Sequence, residues 1–391
     1  MHFAFTEQQR EFRDAVRQVL AAECTTGDVR AAYDAPAARG PRWTTLAELG
    51  VTGLTVPAAH GGLGLGMVDL VPLVEEAGRV ALPEPLAVTA GVAAPLLADL
   101  EADGTADNRI GRWLDALAVG DLVAAVADPR HPGLPVAGAT GSDLLLLVHD
   151  GPDGPELHGV DGGGVAVDPA PSLDPTRRLG TPSWVPSPGT VLVRGGPART
   201  HLARTADRAA VATGAELLGL ADAMIALTSG YAKERQQFGR AIGSFQAVKH
   251  LLAGAQVLLE FARPVVYGAA WSLDAGAPDA SRAASVAKAY ASDAAVEAAR
   301  VSLQVHGAIG YTWECDLHLF LKRTWALSEA WGSAADHRAR LLDSLLADRC
   351  GPGGGGGPGS RASGPSGSGP SGSGQRSRLN PTWLGTNPWR R

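Results

Sequence analysis

Cysteine is scarce in this chain of 391 residues, which contains only Cys24, Cys315 and Cys350. Three thiols spread so widely are too few for a disulfide scaffold and are not spaced as zinc ligands. We therefore expect a reducing, cytoplasmic compartment. Aromatic residues make up only 5%, and basic residues are not in excess, because the formal net charge is −6. A general nucleic-acid-binding protein is therefore not expected.

Long apolar runs are missing as well. No stretch of about 18 apolar residues occurs, because Asp, Pro or Gly interrupts each candidate, so no membrane span is predicted. The first residues, MHFAFTEQQREF, contain no cationic segment followed by an apolar one. No secretory signal is expected from this pattern.

Motifs for several kinds of active site are also absent. His306, His318 and His337 are not at metal-ligand spacing and no cysteine pair supports them, so no metal site is predicted. No Gly-x-Ser-x-Gly elbow occurs. Glycines within 61–66 imitate a dinucleotide-binding fingerprint, but no repeating strand–helix–strand pattern surrounds them, and a structural turn is the better interpretation.

What the chain does contain changes character along its length. Residues 1–115 have helical periodicity, and Thr6 followed by Gln9 predicts a capping box at the first helix. Residues 116–203 contain short apolar runs between Gly- and Pro-rich breaks, which predicts a β-domain. Residues 204–349 are rich in Ala and Leu with long amphipathic segments, which predicts a helical bundle. Within these regions the predicted helices cover 43–50, 67–79, 84–100, 207–234, 242–274 (kinked at Pro264), 281–306, 316–328 and 334–348.

The last segment, 350–391, is different again. It is dominated by Gly, Pro and Ser, and we predict that it is disordered. It carries five arginines and no acid, so residues 1–350 have a net charge of −11. Trp383 and Trp389 lie near its end among prolines and arginines. Either the segment has no role, or it is a short peptide that docks on a partner or on its own chain.

One informative stretch, YAKERQQFGRAIGSFQAVKH, covers 231–250. It reads as a helix end, a glycine-containing turn and a new helix start, with Arg235 and Gln237 close to Phe238. Arginine forks and free backbone N–H groups near a helix start suit a phosphate or pyrophosphate. An ordinary solvated helix junction is the alternative from the residues alone.

A second stretch, SLQVHGAIGYTWECDLHLFLKR, covers 302–323. It places Gln304 beside a glycine loop that includes Gly307 and Gly310. Glycine allows a backbone to approach a flat or phosphorylated ligand closely. The two stretches together are more specific than either one alone.

These residues resemble the acyl-CoA dehydrogenase family. The family motif R-x-Q/T-F-G-x-x-I-x-x-F/H-Q is matched from Arg235 to Gln246, and Q-x-x-G-G-x-G is matched by Gln304, Gly307 and Gly310, with Ala308 replacing one glycine. The resemblance extends over about 3–348 and is nearest to the actinobacterial branch that includes steroid side-chain enzymes. It implies a mainly α fold: an N-terminal helical domain, a small middle β-barrel and a C-terminal four-helix bundle.

The same resemblance implies a chemistry. Family members bind FAD, remove the α-proton of an acyl-CoA with a carboxylate and pass the β-hydrogen to the flavin, and an electron-transfer flavoprotein accepts the electrons. By matching positions, Arg235 would bind the FAD pyrophosphate, with Gln237 in the same motif, and Phe238 would pack near the adenine. Gln304, Gly307 and Gly310 would lie along the same part of the cofactor. In the family these bundle motifs reach the FAD of a neighbouring subunit, so a homo-oligomer or hetero-oligomer is implied.

The usual catalytic base is missing. The position of the family glutamate, just before a glycine, holds Trp331, and the alternative position on the first bundle helix holds Ala209. Glu216 is seven residues after Ala209 and thus on the same helical face, about 10.5 Å along the axis. Asp207 and Glu329 are other nearby carboxylates, of which Asp207 points elsewhere. The catalytic residue is therefore unknown from the sequence.

The middle domain departs from the family too. About one or two strands and the expected Trp, Ser or Thr contacts to the flavin ring are missing, and Trp184 is not placed by any motif. Both losses predict a subunit that shares FAD with a second, base-bearing acyl-CoA dehydrogenase-like chain. The alternatives are a self-sufficient enzyme with an unusual base, such as Glu216, and a non-catalytic scaffold that has lost FAD.

Overall fold

The N-terminal part of the protein is helical, as predicted. The computed structural model describes residues 4–37, 39–105 and 107–349. The capping box is confirmed, because Thr6 Oγ1 accepts from the Gln9 amide and the Gln9 side chain accepts from the Thr6 amide. The helices of this part are α1 (Glu7–Glu23), α2 (Thr26–Asp34), α3 (Pro41–Glu48), α4 (Met67–Arg79), α5 (Leu86–Val88), α6 (Ala94–Ala102) and α7 (Asn108–Ala118).

The predicted helix over 84–100 is interrupted by a wider turn. Residues 89–93 form i→i+5 hydrogen bonds between α5 and α6. Every residue of this turn is buried, and Gly91 lies against Leu70 and Ala212. Close packing against neighbouring helices therefore accompanies the change in helical pitch.

The middle region is a sheet domain. Its strands are β1 (Ala124–Val126), β2 (Leu144–Gly151), β3 (Gly154–Asp161), β4 (Ala166–Pro169), β5 (Gly180–Ser183) and β6 (Val191–Arg194). One sheet has the order β1-β2-β3-β6, with β1 parallel to β2 and the other pairs antiparallel. β4 and β5 form a separate antiparallel pair. The run 144–147, which is apolar without alternation, is buried on both faces, as expected for a central strand.

The C-terminal region is a bundle of long helices: α8 (Gly195–Glu234), α9 (Gln246–Asp274), α10 (Ala280–His306), α11 (Leu317–Glu329) and α12 (Ala334–Arg349). The prediction started α8 twelve residues too late, at 207. Its first turns contain Gly195, Gly196 and Pro197, and proline is accepted in a first helical turn because its missing N–H needs no partner there. α9 continues through Pro264 as one helix.

The bundle is organised around α8. This helix is long and apolar enough to cross a membrane by composition, but 72% of its most apolar window is buried inside the protein. It packs against both α4 and α10, and Gly78 of α4 and Gly219 of α8 let the backbones of these two helices approach closely. One apolar core joins the N-terminal helices to the bundle, and a second joins the sheet domain to α6, α7 and Ala209. The predictions for 350–391 lie outside the described residues.

Candidate functional site

The first sequence motif forms a tight hairpin at the end of α8. β7 (Gln236–Gln237) pairs with β8 (Arg240–Ala241), and the two turn residues, Phe238 and Gly239, have φ values of +54° and +76°. Two consecutive positive φ angles are typical of the mirror-image turns that close two-residue hairpins. Arg235 and Gln237 are exposed, and the Phe238 side chain is 91% exposed. The motif thus presents its donors and an aromatic ring to the outside of this chain.

The second motif lies beside the first. α10 ends at His306, and Gly307 leaves the helix with φ +64°. The His306 ring stacks on Tyr231, with centroids 4.4 Å apart, and Tyr231 is one helical turn before Arg235. Gln304 and Gly307 are exposed, whereas Gly310 is buried, and a Cβ there would lie 3.0 Å from His306 and Leu303 atoms. The structure therefore brings the two predicted motifs together on one exposed corner of the bundle.

Glu216, a candidate for the catalytic base, lies elsewhere along α8. Glu216 precedes Arg235 by nineteen residues in this unbroken helix, a separation of about 28 Å along the axis. Glu216 lines a cavity of about 70 Å³ between α8, α11 and the segment 174–178. Trp331 lines the same cavity. The chain's own cleft and its exposed motif corner are therefore two separate places.

Trp331 is the residue that the sequence matches to the position of the missing base. Its side chain is buried, and its backbone has φ +56°, a conformation that a bulky residue rarely adopts. It belongs to the same apolar cluster as Ala209, the other position from which a base is missing. An indole and a methyl group accept no proton, so neither position provides a base.

Two buried side chains from other helices hold the loop that carries Trp331. Lys288 Nζ donates to the carbonyl oxygens of Ser328 (2.9 Å) and Gly332 (3.1 Å), and burial lowers the pKa of Lys288 to about 7. His337 Nε2 lies 2.9 Å from the Trp331 carbonyl oxygen and donates to it. These bonds stabilise the strained backbone at Trp331.

We expect this loop to make the protein sensitive to acid through His337. Burial lowers the pKa of His337 to about 4, with the cations of Lys288, Arg130 and Arg340 acting in the same direction. The unfolded chain binds that proton near pH 6.5, so the stabilisation is complete above 6.5 and is lost as pH falls from 6.5 to 4. Between pH 6.5 and 5 the loss is about 2 kcal/mol.

Urea unfolding at pH 7 and pH 5 tests this expectation. In His337→Gln the amide keeps a donor for the Trp331 carbonyl but does not titrate, so the part of the pH dependence due to His337 should disappear. The difference between wild type and variant isolates that part from other titrating groups. Equal pH dependence in both proteins would contradict the assignment.

The candidate base Glu216 is tied to a buried arginine. Its Oε1 lies 3.2 Å from Arg323, which also donates to Asp174 at 2.7 Å, to Thr176 and to the Leu82 carbonyl. Burial raises the pKa of the Glu216 carboxyl, and Arg323 acts against that rise. A raised pKa suits a general base, but the ion pair occupies one of its oxygens.

The other carboxylates considered from the sequence are not in the cavity. Asp207 is buried and pairs with Arg340 at 2.8 Å, and Glu329 is exposed. Trp184 packs edge-on against His158 in the sheet domain and does not line the cavity. Within the described ranges, no group of three or more His, Cys, Asp or Glu side chains is arranged to hold a metal ion.

Sequence reasoning missed several residues of this region. Lys288, Arg177, Arg178 and Arg323 are all buried or half-buried around the cleft, yet none belongs to a recognised motif. For Lys288 one signal exists in the sequence, because it is a lone cation on an otherwise apolar face of SVAKAYAS. The arginines carry no such signal, since their partners are distant in the chain.

A second, open groove of about 420 Å³ lies between the β2–β3 turn and the first turns of α8. Arg130, Arg199 and Arg340 line it. Arg130 also approaches Gly332, where a Cβ would meet its guanidinium at 2.8 Å. The groove and the cavity therefore both lie close to the Trp331 loop. Guanidinium groups such as those of the groove suit a phosphorylated ligand.

Two protein-family models match the chain. The model described as acyl-CoA dehydrogenase, N-terminal domain, matches residues 6–121, and that described as acyl-CoA dehydrogenase, C-terminal domain, matches residues 201–346. Among curated proteins, the acyl-CoA dehydrogenase IpdE2 of Mycobacterium tuberculosis is 33% identical over 346 residues, which covers 86% of this chain and 96% of that protein.

Solved structures share the whole fold. The Tcur3481-Tcur3483 steroid ACAD variant is 28% identical with a TM-score of 0.77, and the match covers 88% of this chain and 99% of that one. The ChsE4-ChsE5 complex from Mycobacterium tuberculosis is 22% identical with a TM-score of 0.76, over 88% and 99% of the two chains. The predicted order of helical, sheet and helical regions is confirmed by these matches and by the structure.

Proposed function

Because the chain belongs to the acyl-CoA dehydrogenase family, we propose that it is one subunit of an FAD-dependent enzyme that dehydrogenates an acyl-CoA thioester between its α and β carbons. In this proposal FAD is held between this chain and a second, base-bearing acyl-CoA dehydrogenase-like subunit. Two features of the structure support this proposal. The exposed corner formed by the two motifs is separate from the chain's own cleft, and that cleft has no base at either usual position, Trp331 or Ala209.

The chain's own cleft does not fit a flavin ring. Its cavity of about 70 Å³ is small beside the clefts of about 300–1,000 Å³ that hold cofactor-sized ligands. Trp331 narrows the cavity on one side and Arg178 on another, and both lie in buried, strained backbone.

The exposed corner does fit the phosphate and adenine side of FAD. Arg235 offers a planar fork for a pyrophosphate, Gln304 offers an amide, and Gly307 leaves its backbone open. Phe238, almost fully exposed, offers a ring face for adenine. Burial against a partner would also cover this aromatic side chain, which is otherwise left in water.

In this arrangement the flavin supplies the hydride acceptor when bound. This chain positions the cofactor through its exposed corner, and the partner provides the carboxylate that takes the α-proton. We further propose a bulky acyl group of steroid type, because the 28% identical structure is that of the Tcur3481-Tcur3483 steroid ACAD. An electron-transfer flavoprotein in the cytoplasm would then accept the electrons.

The visible absorbance spectrum tests the shared site directly. We expect little flavin in the chain purified alone, and stoichiometric flavin after co-expression with an acyl-CoA dehydrogenase-like neighbour. Activity with a dye acceptor should follow the same pattern. Full flavin and turnover in the chain alone would overturn the proposal, and no flavin in either sample would favour a scaffold.

A self-contained dehydrogenase is the second candidate, favoured by Glu216 in the cavity and by the arginine-lined groove beside it. In that case Glu216→Gln should abolish turnover by the chain alone while leaving its bound flavin unchanged. Asp222→Asn on the same helix is the control, because Asp222 pairs with Arg79 and Arg263 at the α4–α9 side. Equal turnover in wild type and Glu216→Gln would reject this candidate.

A further inference from the structure

The cavity beside Trp331 contains two arginines with no carboxylate partner. Arg178 is 5% exposed with φ +47°; one guanidinium nitrogen donates to the Thr140 carbonyl at 3.1 Å, and its Nε has no hydrogen-bond partner. Arg177 donates only to the Ala326 carbonyl, at 3.4 Å. Within the described part of the chain, neither guanidinium forms an ion pair.

The acids nearby are already used. Glu84 pairs with Arg42 at 2.8 Å, and Asp174 and Glu216 both pair with Arg323. The lining of the cavity itself contains three arginines, Arg177, Arg178 and Arg323, and two carboxylates, Glu84 and Glu216. Burying a cation without a counterion is costly, and proteins normally compensate it with an anion or with hydrogen bonds.

The backbone conformation of two cavity residues also indicates a ligand site here. Arg178 and Trp331 are two of the four described residues other than glycine with positive φ, and both line this cavity. Such conformations are unfavourable for residues other than glycine and are concentrated at ligand sites. Burial lowers the pKa of Arg178 to about 10, so it still carries its charge at neutral pH.

We propose that this cavity binds a small carboxylate with a short apolar tail, whose oxygens accept hydrogen bonds from Arg177 and Arg178. The opposite wall is apolar, with Pro83, Val88, Leu327 and Trp331. A cavity of about 70 Å³ leaves room for a small anion rather than for a large one. Arginine forks suit both carboxylate and phosphate, but the apolar wall favours a carboxylate with a hydrocarbon tail.

This inference does not depend on the shared-FAD proposal, because the cavity lies in the chain's own cleft, about 28 Å along α8 from the exposed corner. It assigns a ligand to a cleft that lacks the family's base. The ligand would stabilise the loop around Trp331 from within the cavity that Trp331 lines.

Calorimetric titration of the full chain, with any partner it purifies with, tests the site. The probes are sodium butyrate, neutral butyramide of the same shape, and inorganic phosphate, at equal ionic strength. We expect heat of binding with butyrate, at least tenfold weaker binding of butyramide, and weaker binding of phosphate than of butyrate. A higher melting temperature in butyrate should accompany binding.

Substitutions locate the binding. Arg178→Gln should weaken butyrate at least tenfold, Arg178→Lys should retain part of the affinity, and exposed Arg204→Gln should leave it unchanged. If Arg178→Gln fails to fold, Arg177→Gln is the replacement. No butyrate heat, equal affinity for butyramide, tighter phosphate binding or an unaltered Arg178→Gln titration would each overturn the proposal. None of these readouts involves flavin, so they are independent of the proposed function.

Discussion

Arg323→Met is expected to lower the free energy of unfolding by about 3–5 kcal/mol, the largest stability effect of any single substitution considered. Arg323 is buried, and it compensates the fully buried Asp174 carboxylate. Burial opposes ionisation of Asp174, but Arg323 and Thr176 outweigh it and hold the pKa of Asp174 below its ordinary value. Without the guanidinium, that carboxylate is left in the interior with only the Thr176 amide and hydroxyl as donors.

Urea unfolding of matched variants measures this effect. Arg300→Met removes an exposed arginine that pairs with Glu297 on α10, and it should cost less than about 1 kcal/mol. Adding Asp174→Asn to Arg323→Met should recover part of the loss, because the charge at position 174 is then removed and only Glu216 is left without its arginine. A cost for Arg323→Met as small as that of Arg300→Met would mean that Arg323 does not stabilise the fold by compensating Asp174.

The contacts of Arg323 illustrate which features could be predicted from the sequence and which could not. The bounds of α4 and the capping of α1 were predicted correctly, because both depend on residues within a few positions of one another. The order of the regions followed from the switch between helical periodicity and short apolar runs. Arg323, by contrast, meets an aspartate 149 positions earlier in the sequence. No local pattern in LKRTWALSE predicts such a contact.

The residues of the candidate site also divide into those that the sequence predicts and those that only the fold reveals. Arg235 and Gln304 were found by motif, and the structure adds that the Tyr231–His306 stack brings their segments together. The absence of a base at Trp331 was also predicted by matching positions. Which side chains support Trp331 was not, because Lys288 and His337 come from α10 and α12 and act through tertiary contacts. Motifs therefore predict the chemistry, whereas the supporting contacts required the fold.

Arg235→Gln, in the complex with the partner subunit, is expected to weaken FAD binding about 10- to 100-fold. A charge-assisted hydrogen bond contributes about 1.5–3 kcal/mol, and the neutral amide of glutamine replaces the guanidinium fork with a weaker donor. Arg235 is exposed in this chain, so its loss should not alter the fold. Titration of the apo-complex with FAD, followed by flavin fluorescence, measures the dissociation constant.

Lys233→Gln is the matched control, since Lys233 is an exposed cation in the last turn of the same helix. A long-range electrostatic attraction for the cofactor would weaken by a similar small factor in both variants. A direct contact to the pyrophosphate affects only Arg235→Gln, and its effect is less sensitive to salt than the general attraction is. Equal, salt-dependent losses in the two variants would therefore remove Arg235 from the cofactor site, even if the complex still required this chain to retain flavin.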